Sequence, residues 1–219
     1  MIREKLLSIY HRLFDRYGPQ HWWPAEGPFE MMVGAVLTQS TTWTSVEKAI
    51  GNLKTAGVLS PEALRQLPLP EIAALIFSSG YYNAKALKLK SLTAYLEEYH
   101  EDLDRMFAVE TCRLRREILG VHGIGEETAD SILLYAAKRP VFVIDAYTRR
   151  ILSRIGLTPD RNRYADYQRL FMDNLPVDSG LYNEYHALLV CLGKNVCRRH
   201  PLCQQCCLSG DACRFDRPN

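Results

Sequence analysis

The sequence lacks the features of secreted, membrane-bound and strongly charged proteins. It has no charge excess, because its 27 Lys and Arg residues are nearly balanced by 25 Asp and Glu. A nucleic-acid partner would therefore have to meet a local concentration of basic side chains. No apolar run approaches the roughly 20 residues that cross a bilayer, and residues 1–5 lead directly into an amphipathic pattern instead of a secretory signal. We expect a cytoplasmic chain with no membrane partner.

Cysteine is nearly absent until the C-terminal end. Cys112 stands alone, and six of the seven cysteines fall in residues 191–219. Such a cluster in a cytosolic chain indicates a metal site more than disulfides. Four thiolates can bind either a [4Fe–4S] cluster or a structural zinc ion, and composition leaves both open. The candidate ligands are Cys197, Cys203, Cys206 and Cys213. We expect Cys191 to lie in the core and Cys112 to be a buried or half-buried thiol.

Patterns typical of β-strands are also rare. The one strand-like run, Val141–Ile144, is too short to form a sheet alone. Apolar residues recur at helical spacing in almost every other segment, and pairs such as Ser60-Pro61 mark helix starts. The sequence therefore predicts an all-α protein. In its second half the predicted helices are 111–119, 126–138, 146–155, 164–175 and 181–192.

A glycine-containing turn separates two of these predicted helices. Gly123 and Gly125 flank Ile124, and the glycines let the backbone turn sharply while leaving its N–H groups unobstructed. Next to a helix N-terminus, such N–H groups form a phosphate-binding site, and Ile124 would anchor the turn in the core. By itself, a Gly-Ile-Gly segment is more often a plain turn between helices.

Four segments in order give the sequence a family resemblance. Val121–Ala129 and Val143–Arg150 resemble the helix-hairpin-helix of the endonuclease III superfamily and the catalytic-aspartate segment that follows it. Val36–Thr42 resembles the segment whose glutamine, here Gln39, enters the space left by a flipped base. Ser79–Ala86 is similar to the family's G-[FY]-[YF]-N-x-K-A segment. The resemblance covers most of the chain and implies a base-excision DNA glycosylase acting on double-stranded DNA that contains a damaged base.

The resemblance assigns the chemistry to Asp145. Cleavage of the bond between C1′ of deoxyribose and the base passes through an oxocarbenium-like state. A carboxylate can stabilise that positive charge and deprotonate the attacking water. A plain helix N-cap is the alternative role for an aspartate here. The family's lyases carry a Schiff-base lysine two residues after the second glycine, where this chain has Glu127. A carboxylate cannot form a Schiff base, so the resemblance implies a monofunctional enzyme.

The tryptophans extend the resemblance to one branch of the superfamily. Trp22-Trp23-Pro24, followed later by Trp43, resembles the 3-methyladenine DNA glycosylases, in which aromatic residues at matching places sandwich an alkylated purine. Aromatic faces stack on an extruded base and attract a cationic base more strongly. The resemblance therefore implies a base pocket of Trp22, Trp23, Trp43 and Glu127. A position in the core is the alternative for at least one tryptophan.

The C-terminal cysteines resemble the superfamily's iron–sulfur motif. That motif is close to C-x6-C-x2-C-x5-C, and two of the present spacings differ from it by one residue. The resemblance implies that the four candidate ligands bind a [4Fe–4S] cluster, with Cys207 as a spare thiol in the place of the family's proline. Basic residues outnumber acidic ones around this motif. We therefore expect Arg198 and Arg199, together with Arg149, to contact DNA phosphates.

These features predict two helical lobes with a DNA-binding groove between them. Residues 25–137 would form one lobe, ending in the helix-hairpin-helix. Residues 1–24 and 138–219, including the iron–sulfur loop, would form the other, and we expect a monomer.

Three alternatives stay open at this point. One is an endonuclease III-like glycosylase and abasic lyase for oxidised pyrimidines, which Glu127 opposes. Another is an adenine-mismatch glycosylase, which normally carries an added C-terminal domain. The third is a non-catalytic DNA-binding module with a structural zinc site, which would be colourless.

Overall fold

The computed structural model describes residues 2–213 and residue 215. Within this part of the chain the secondary structure is helical, and the only β-type pairing is an isolated bridge between Ser209 and Cys213. This confirms the predicted all-α fold class. The α-helices of the described residues are α1 (Ile2–Tyr17), α2 (Pro28–Leu37), α3 (Trp43–Thr55), α4 (Pro61–Gln66), α5 (Leu69–Leu75), α6 (Tyr82–Glu97), α7 (Leu103–Ala108), α8 (Thr111–Gly120), α9 (Glu126–Ser131), α10 (Ala146–Arg154), α11 (Tyr164–Met172) and α12 (Ser179–Asn195).

The chain divides into two compact units. The terminal unit comprises Met1–Trp22 and Pro140–Asn219, and its helices are α1, α10, α11 and α12. The central unit comprises Trp23–Arg139 and contains α2 to α9. None of the helices in the described residues is long and apolar enough to cross a membrane.

Helix starts follow local sequence signals. The Ser60 hydroxyl accepts the backbone N–H of Ala63 at the start of α4, where Pro61 is the first helical residue. Thr42 caps α3 and Asp178 caps α12 in the same way. Each side-chain oxygen satisfies an N–H that the helix itself cannot pair.

The core of the central unit is built around α2. Residues 31–37 of this helix are all buried, and α2 packs against α3, α6 and the segment that follows α9. A helix that is apolar on every side is stable only inside a protein core. The sequence segment that ends in Gln39 is therefore fixed in place by the packing of α2.

The core of the terminal unit forms where α12 packs against α1 and α10. The buried Tyr185 hydroxyl on α12 donates to the Leu6 carbonyl on α1 at 2.8 Å. A Cβ atom at Gly193 would lie 2.6 Å from Tyr147 Cβ on α10. Only glycine therefore allows α10 and α12 to approach this closely.

Two predictions of local structure were wrong. The helix expected at 126–138 leaves α-geometry after Ser131, because residues Ile132–Ala136 form a π-helix. The Ala137 N–H donates to the Ile132 carbonyl at 3.0 Å, one residue farther back than in an α-helix. Helix α7 was missed altogether, since its six residues are too few for a clear periodic pattern.

Candidate active site

An extended apolar segment of the terminal unit leads to Asp145. Val141–Ile144 is buried but does not pair as a strand with any described residue. Its backbone instead forms hydrogen bonds with side chains of α11. The Ile144 N–H donates to the Tyr164 hydroxyl at 3.2 Å, and Gln168 Nε2 donates to the Phe142 carbonyl at 2.8 Å. Phe142 also stacks on the Phe171 ring, with centroids 3.8 Å apart. These contacts fix the backbone immediately before Asp145.

Asp145 is the N-cap of α10. Its Oδ1 accepts the backbone N–H of Thr148 at 2.7 Å, and only 8% of the residue is exposed. The bond satisfies one of the helix's first N–H groups, and the positive end of the helix dipole favours a carboxylate there. Capping engages Oδ1 and leaves Oδ2 for another contact. The second oxygen, Oδ2, lies 3.9 Å from His186 Nε2.

His186 on α12 is a buried neighbour that the sequence did not indicate. The residue is 5% exposed, and its ring contacts Phe142 edge to face. Burial lowers the pKa of His186, while the negative charge of Asp145 partly opposes that shift. The imidazole is therefore neutral at pH 7. No spacing in the sequence relates His186 to a residue 41 positions earlier, so only the packing of α10 against α12 reveals the pair.

The glycine turn of the central unit joins α8 to α9. Gly123 adopts a positive φ of 80°, which an L side chain rarely adopts, while Ile124 is buried as predicted. Gly125 is the N-cap of α9 in an extended conformation, with no side-chain cap and open space around its Cα. Arg115 of α8 binds both oxygens of the fully buried Asp130 carboxylate at 2.7 and 3.0 Å, which fixes α8 relative to α9.

Gln39 is bonded to this turn. Its Nε2 donates to the Gly123 carbonyl at 3.2 Å and to the Thr128 hydroxyl at 2.9 Å, and Lys88 Nζ donates to its Oε1. The half-buried amide is thus held by both sides of the turn. The family's glutamine segment and its hairpin are therefore one connected structure in this chain.

Exposure to solvent differs sharply between Glu127 and the lysines Lys138 and Lys85. Glu127 is exposed on the first turn of α9, and Lys138 is exposed beyond the π-helix. Lys85 is 1% exposed, and its Nζ donates to the carbonyls of Leu37 and Ser79 at 2.8 and 2.7 Å. Burial lowers the pKa of Lys85 to about 8, and Lys88 adds to the shift. Lys85 therefore closes the C-terminal end of α2 and is enclosed by protein.

Two of the three tryptophans meet in an aromatic cluster, which we define as Trp23, Trp43 and Tyr135. The Trp23 ring contacts both others edge to face, with centroids 5.4 Å away in each case. Gly34 of α2 lies against the Trp23 indole, since a Cβ there would be 3.1 Å from Nε1. Tyr135 comes from the π-helix and was not predicted. Trp22 is half-buried and belongs to the terminal unit.

The rings of this cluster are not arranged as two parallel faces. The planes of Trp23 and Trp43 are inclined by 84°, and their rings are in contact. A base cannot lie between two perpendicular rings that already touch. Stacking would use an exposed face of one half-buried ring, or would need the rings to separate.

Two arginines of α10 bind the backbone at the end of α12 and in the cysteine-rich loop, which we define as residues 197–213. Arg150 donates to the carbonyls of Cys197 and Gly193 at 2.8 and 2.9 Å. Arg154 donates to Cys197 Sγ at 3.2 Å and to the carbonyls of Arg198 and Arg199 at 2.7 and 3.2 Å. These guanidinium groups are engaged within the protein, so they stabilise the loop.

The arginines expected at DNA differ in how they are held. Arg198 and Arg199 are exposed, while their carbonyls are fixed by Arg154. Arg149 is partly buried: it donates to the carbonyl and side-chain oxygens of Asn162 and lies 4.9 Å from the centroid of the Tyr167 ring. The first two side chains are presented to solvent from a fixed backbone.

The cysteines of the loop are half-buried thiols. Burial raises the pKa of Cys206, and nearby Cys197 and Cys213 raise it further, so these thiols are close neighbours. Cys213 Sγ also lies 3.5 Å from the Arg154 carbonyl. The donor set is chemically suited to iron or zinc. Across residues 2–213 and 215, no group of three or more His, Cys, Asp or Glu side chains is arranged to hold a single metal ion.

Two predictions for the other cysteines need correction. Cys112 is exposed on the first turn of α8, where the Glu110 carboxylate accepts its backbone N–H at 2.9 Å. An isolated cysteine in a helical pattern does not reveal which side of the helix faces the core. Cys191 is half-buried and not part of the core, and Asn195 Nδ2 donates to its sulfur at 3.5 Å.

Comparison with known proteins identifies the class and then the family. Residues 33–177 match the family model described as HhH-GPD superfamily base excision DNA repair protein. A candidate DNA repair glycosylase of Methanocaldococcus jannaschii is 43% identical over 205 residues, covering 93% of each chain. The protein is a base excision repair DNA glycosylase, and it belongs to the HhH-GPD superfamily.

More distant relatives include both functional branches considered above. Endonuclease III of Sulfolobus acidocaldarius is 29% identical over 189 residues, which cover 85% of this chain and 82% of that protein. A 3-methyladenine DNA glycosylase of H. pylori, solved with 1,N6-ethenoadenine, is 28% identical with a TM-score of 0.75, covering 88% of this chain and 95% of that one. An endonuclease III–DNA complex shares the fold, with a TM-score of 0.82 at 22% identity and coverage of 97% and 95%.

Proposed function

We propose that this protein is a monofunctional DNA glycosylase, which hydrolyses the N-glycosidic bond of a damaged base flipped out of double-stranded DNA and prefers alkylated purines. The observation that carries the proposal is the state of Asp145. Its carboxylate is nearly buried, its Oδ1 is fixed by the Thr148 N–H, and it occupies the N-terminus of α10. A fixed negative charge in a poorly solvated place is suited to stabilising a developing cation.

Asp145 would serve two steps of the hydrolysis. As the bond between C1′ and the base breaks, positive charge spreads over the sugar ring, and the carboxylate stabilises it. The same group then accepts a proton from the water that attacks C1′. An alkylated purine with a formal positive charge is already a good leaving group, so one carboxylate suffices.

The distribution of amines supports hydrolysis without a lyase step. A β-lyase needs an accessible amine to form a Schiff base. The family's lysine position is held by the exposed Glu127, and the nearby Lys85 is enclosed with Nζ bonded to two carbonyls. Lys138 is exposed and is the amine to replace if strand cleavage is found.

The aromatic cluster supports the substrate class. Trp23 and Trp43 supply half-buried indole faces, and Tyr135 packs against Trp23 from the π-helix. π-Helical turns inside α-helices are frequent at functional sites. Stacking with a cationic ring adds attraction that a neutral pyrimidine would not gain. The relative that is 28% identical is named a 3-methyladenine DNA glycosylase and was solved with 1,N6-ethenoadenine.

DNA binding is assigned to the glycine turn and to the cysteine-rich loop. The N–H groups at the start of α9, beside the unobstructed Gly125, would bind a phosphate. Arg198 and Arg199 would meet further phosphates, and Arg149 is a weaker candidate because it is already engaged with Asn162.

We further propose that Cys197, Cys203, Cys206 and Cys213 bind a [4Fe–4S] cluster. Such a cluster would crosslink the loop chemically. The protein's own contribution is the support from α10, through Arg150 and Arg154, which holds the loop backbone. A structural zinc ion is the alternative occupant.

A base-release assay on defined duplexes tests the proposal. Duplexes containing 3-methyladenine, 1,N6-ethenoadenine or thymine glycol would be incubated with the protein, and the released base and the strand would be analysed separately. We expect release of the alkylated purines, an uncut abasic strand and no borohydride-trapped complex. Trapping on the thymine-glycol duplex would instead favour the endonuclease III-like lyase.

A further inference from the structure

His186 lies beside the proposed catalytic carboxylate of Asp145. Both residues are buried, and His186 Nε2 is 3.9 Å from Asp145 Oδ2. The other oxygen of the carboxylate is already bound to the Thr148 N–H. One oxygen of Asp145 therefore faces a group of α10, and the other faces a group of α12.

The chemistry of the contact selects one tautomer of His186. A neutral imidazole carries its proton on either Nδ1 or Nε2. A lone pair on Nε2 would face the negative Oδ2 and repel it, whereas an N–H on Nε2 presents its positive end. The Nε2–H tautomer is therefore the stable partner of an ionised Asp145.

We propose that His186 is a positioning residue for Asp145, whose Nε2–H fixes the carboxylate orientation. The inference rests on the proposed role of Asp145 and adds a second residue to it. The carboxylate would otherwise be free to rotate about its terminal bond while keeping a single hydrogen bond. With Oδ1 bonded to the Thr148 N–H and Oδ2 facing His186 Nε2 at 3.9 Å, the carboxylate needs little reorganisation when charge develops on the sugar.

Asp145 is the neighbour whose charge opposes the effect of burial on His186. Burial lowers the pKa of His186, and the negative charge of Asp145 acts in the opposite direction. On its own helix, Tyr182 is one turn away and Tyr185 is adjacent, and burial raises the pKa of both, so they are neutral. From α11, the Tyr164 hydroxyl accepts the Ile144 N–H, and Phe142 contributes only an aromatic edge.

Substitution of His186 by Leu and by Gln tests the role. His186→Leu removes the N–H and keeps an apolar core, whereas His186→Gln keeps an N–H at about the position of Nε2. We expect His186→Leu to lower the single-turnover rate of base release roughly tenfold to a hundredfold, with unchanged affinity for duplex carrying an abasic analogue. We expect His186→Gln to recover most of the lost rate.

Tyr182→Phe is the matched control. This buried hydroxyl on the same helix has no hydrogen-bond partner among the described residues, so its removal should leave the rate unchanged. The proposal is overturned if His186→Leu retains a rate within twofold of wild type, or if the rate falls equally in both His186 variants. An active Asp145→Asn protein would instead refute the role of Asp145 itself, so the two failures are distinguishable.

Discussion

Lys85 places a positive charge inside the central unit. Its Nζ satisfies the carbonyls of Leu37 and Ser79, so Lys85→Met would leave two buried acceptors unpaired. We expect a loss of about 1–3 kcal/mol in the free energy of unfolding at pH 7. Urea denaturation measures this loss, and Lys48→Met, at an exposed position of α3, is a control expected to cost less.

The stabilising effect of Lys85 should also depend on pH. Its pKa is lowered to about 8 in the folded protein, below the unfolded value of about 10.4. Between these values the unfolded chain binds more protons, so the stability of the wild type rises with pH. The difference between wild type and Lys85→Met should widen from pH 7 to pH 9. A difference that narrows over this range would contradict the burial of a charged amine.

Trp43 tests the aromatic cluster at the level of one ring. Its indole is half-buried at the start of α3 and touches Trp23 by an edge. We expect Trp43→Ala to lower kcat/KM on a cationic base such as 3-methyladenine roughly 5- to 150-fold. This factor corresponds to a loss of about 1–3 kcal/mol in stacking free energy. The loss on neutral 1,N6-ethenoadenine should be smaller. Trp43→Phe, which keeps an aromatic face, should retain most activity; an equal loss in Phe and Ala variants would remove the stacking role.

The glycine turn can be tested as an element because its two glycines differ. Gly123 has a positive φ, and a Cβ there would lie 2.4 Å from the Lys88 side chain, so Gly123→Ala should cost about 1–2 kcal/mol of stability. Gly125 is extended with open space around it, so Gly125→Val should cost at most about 1 kcal/mol.

Binding should separate the two variants further. A side chain at residue 125 obstructs the N–H groups that we assign to a phosphate. We expect Gly125→Val to weaken binding to damaged and undamaged duplex by the same factor, because phosphates carry no sequence or lesion information. Fluorescence anisotropy at fixed salt concentration measures the affinity for each duplex. If a folded Gly125→Val protein binds both duplexes as well as wild type does, the hairpin is only a turn.

The cysteine-rich loop gives a second test at this scale. We expect the purified protein to be yellow-brown and to contain about four irons per chain. Cys203→Ser should lose the iron, whereas Cys207→Ser should keep it, since Cys207 replaces a proline of the motif. Elemental analysis decides: stoichiometric zinc without iron would contradict the cluster and favour the structural zinc site.

At the scale of the whole molecule, the sequence predicted what depends on local pattern. Helical periodicity and caps such as Ser60 predicted the all-α fold, and the resemblance of four segments in order indicated the family. It missed what depends on packing between distant segments. His186 meets Asp145 only because Gly193 lets α10 and α12 approach.

The remaining misses have a similar cause. A π-helix differs from an α-helix by one residue over a single turn, so periodicity could not place Tyr135 in the aromatic cluster. A local surplus of basic residues indicated a DNA-binding region but could not distinguish exposed Arg198 from Arg154, which binds backbone carbonyls and a cysteine sulfur.

The most direct measurement is the single-turnover rate of base release by wild type and Asp145→Asn on duplex containing 3-methyladenine. The substitution keeps the size of the side chain and an oxygen for the Thr148 N–H, but removes the negative charge and the base for water. We predict a loss of several orders of magnitude in rate, with unchanged affinity for duplex carrying an abasic analogue. Release by Asp145→Asn at a rate within tenfold of wild type would contradict the assignment of Asp145 as the catalytic carboxylate.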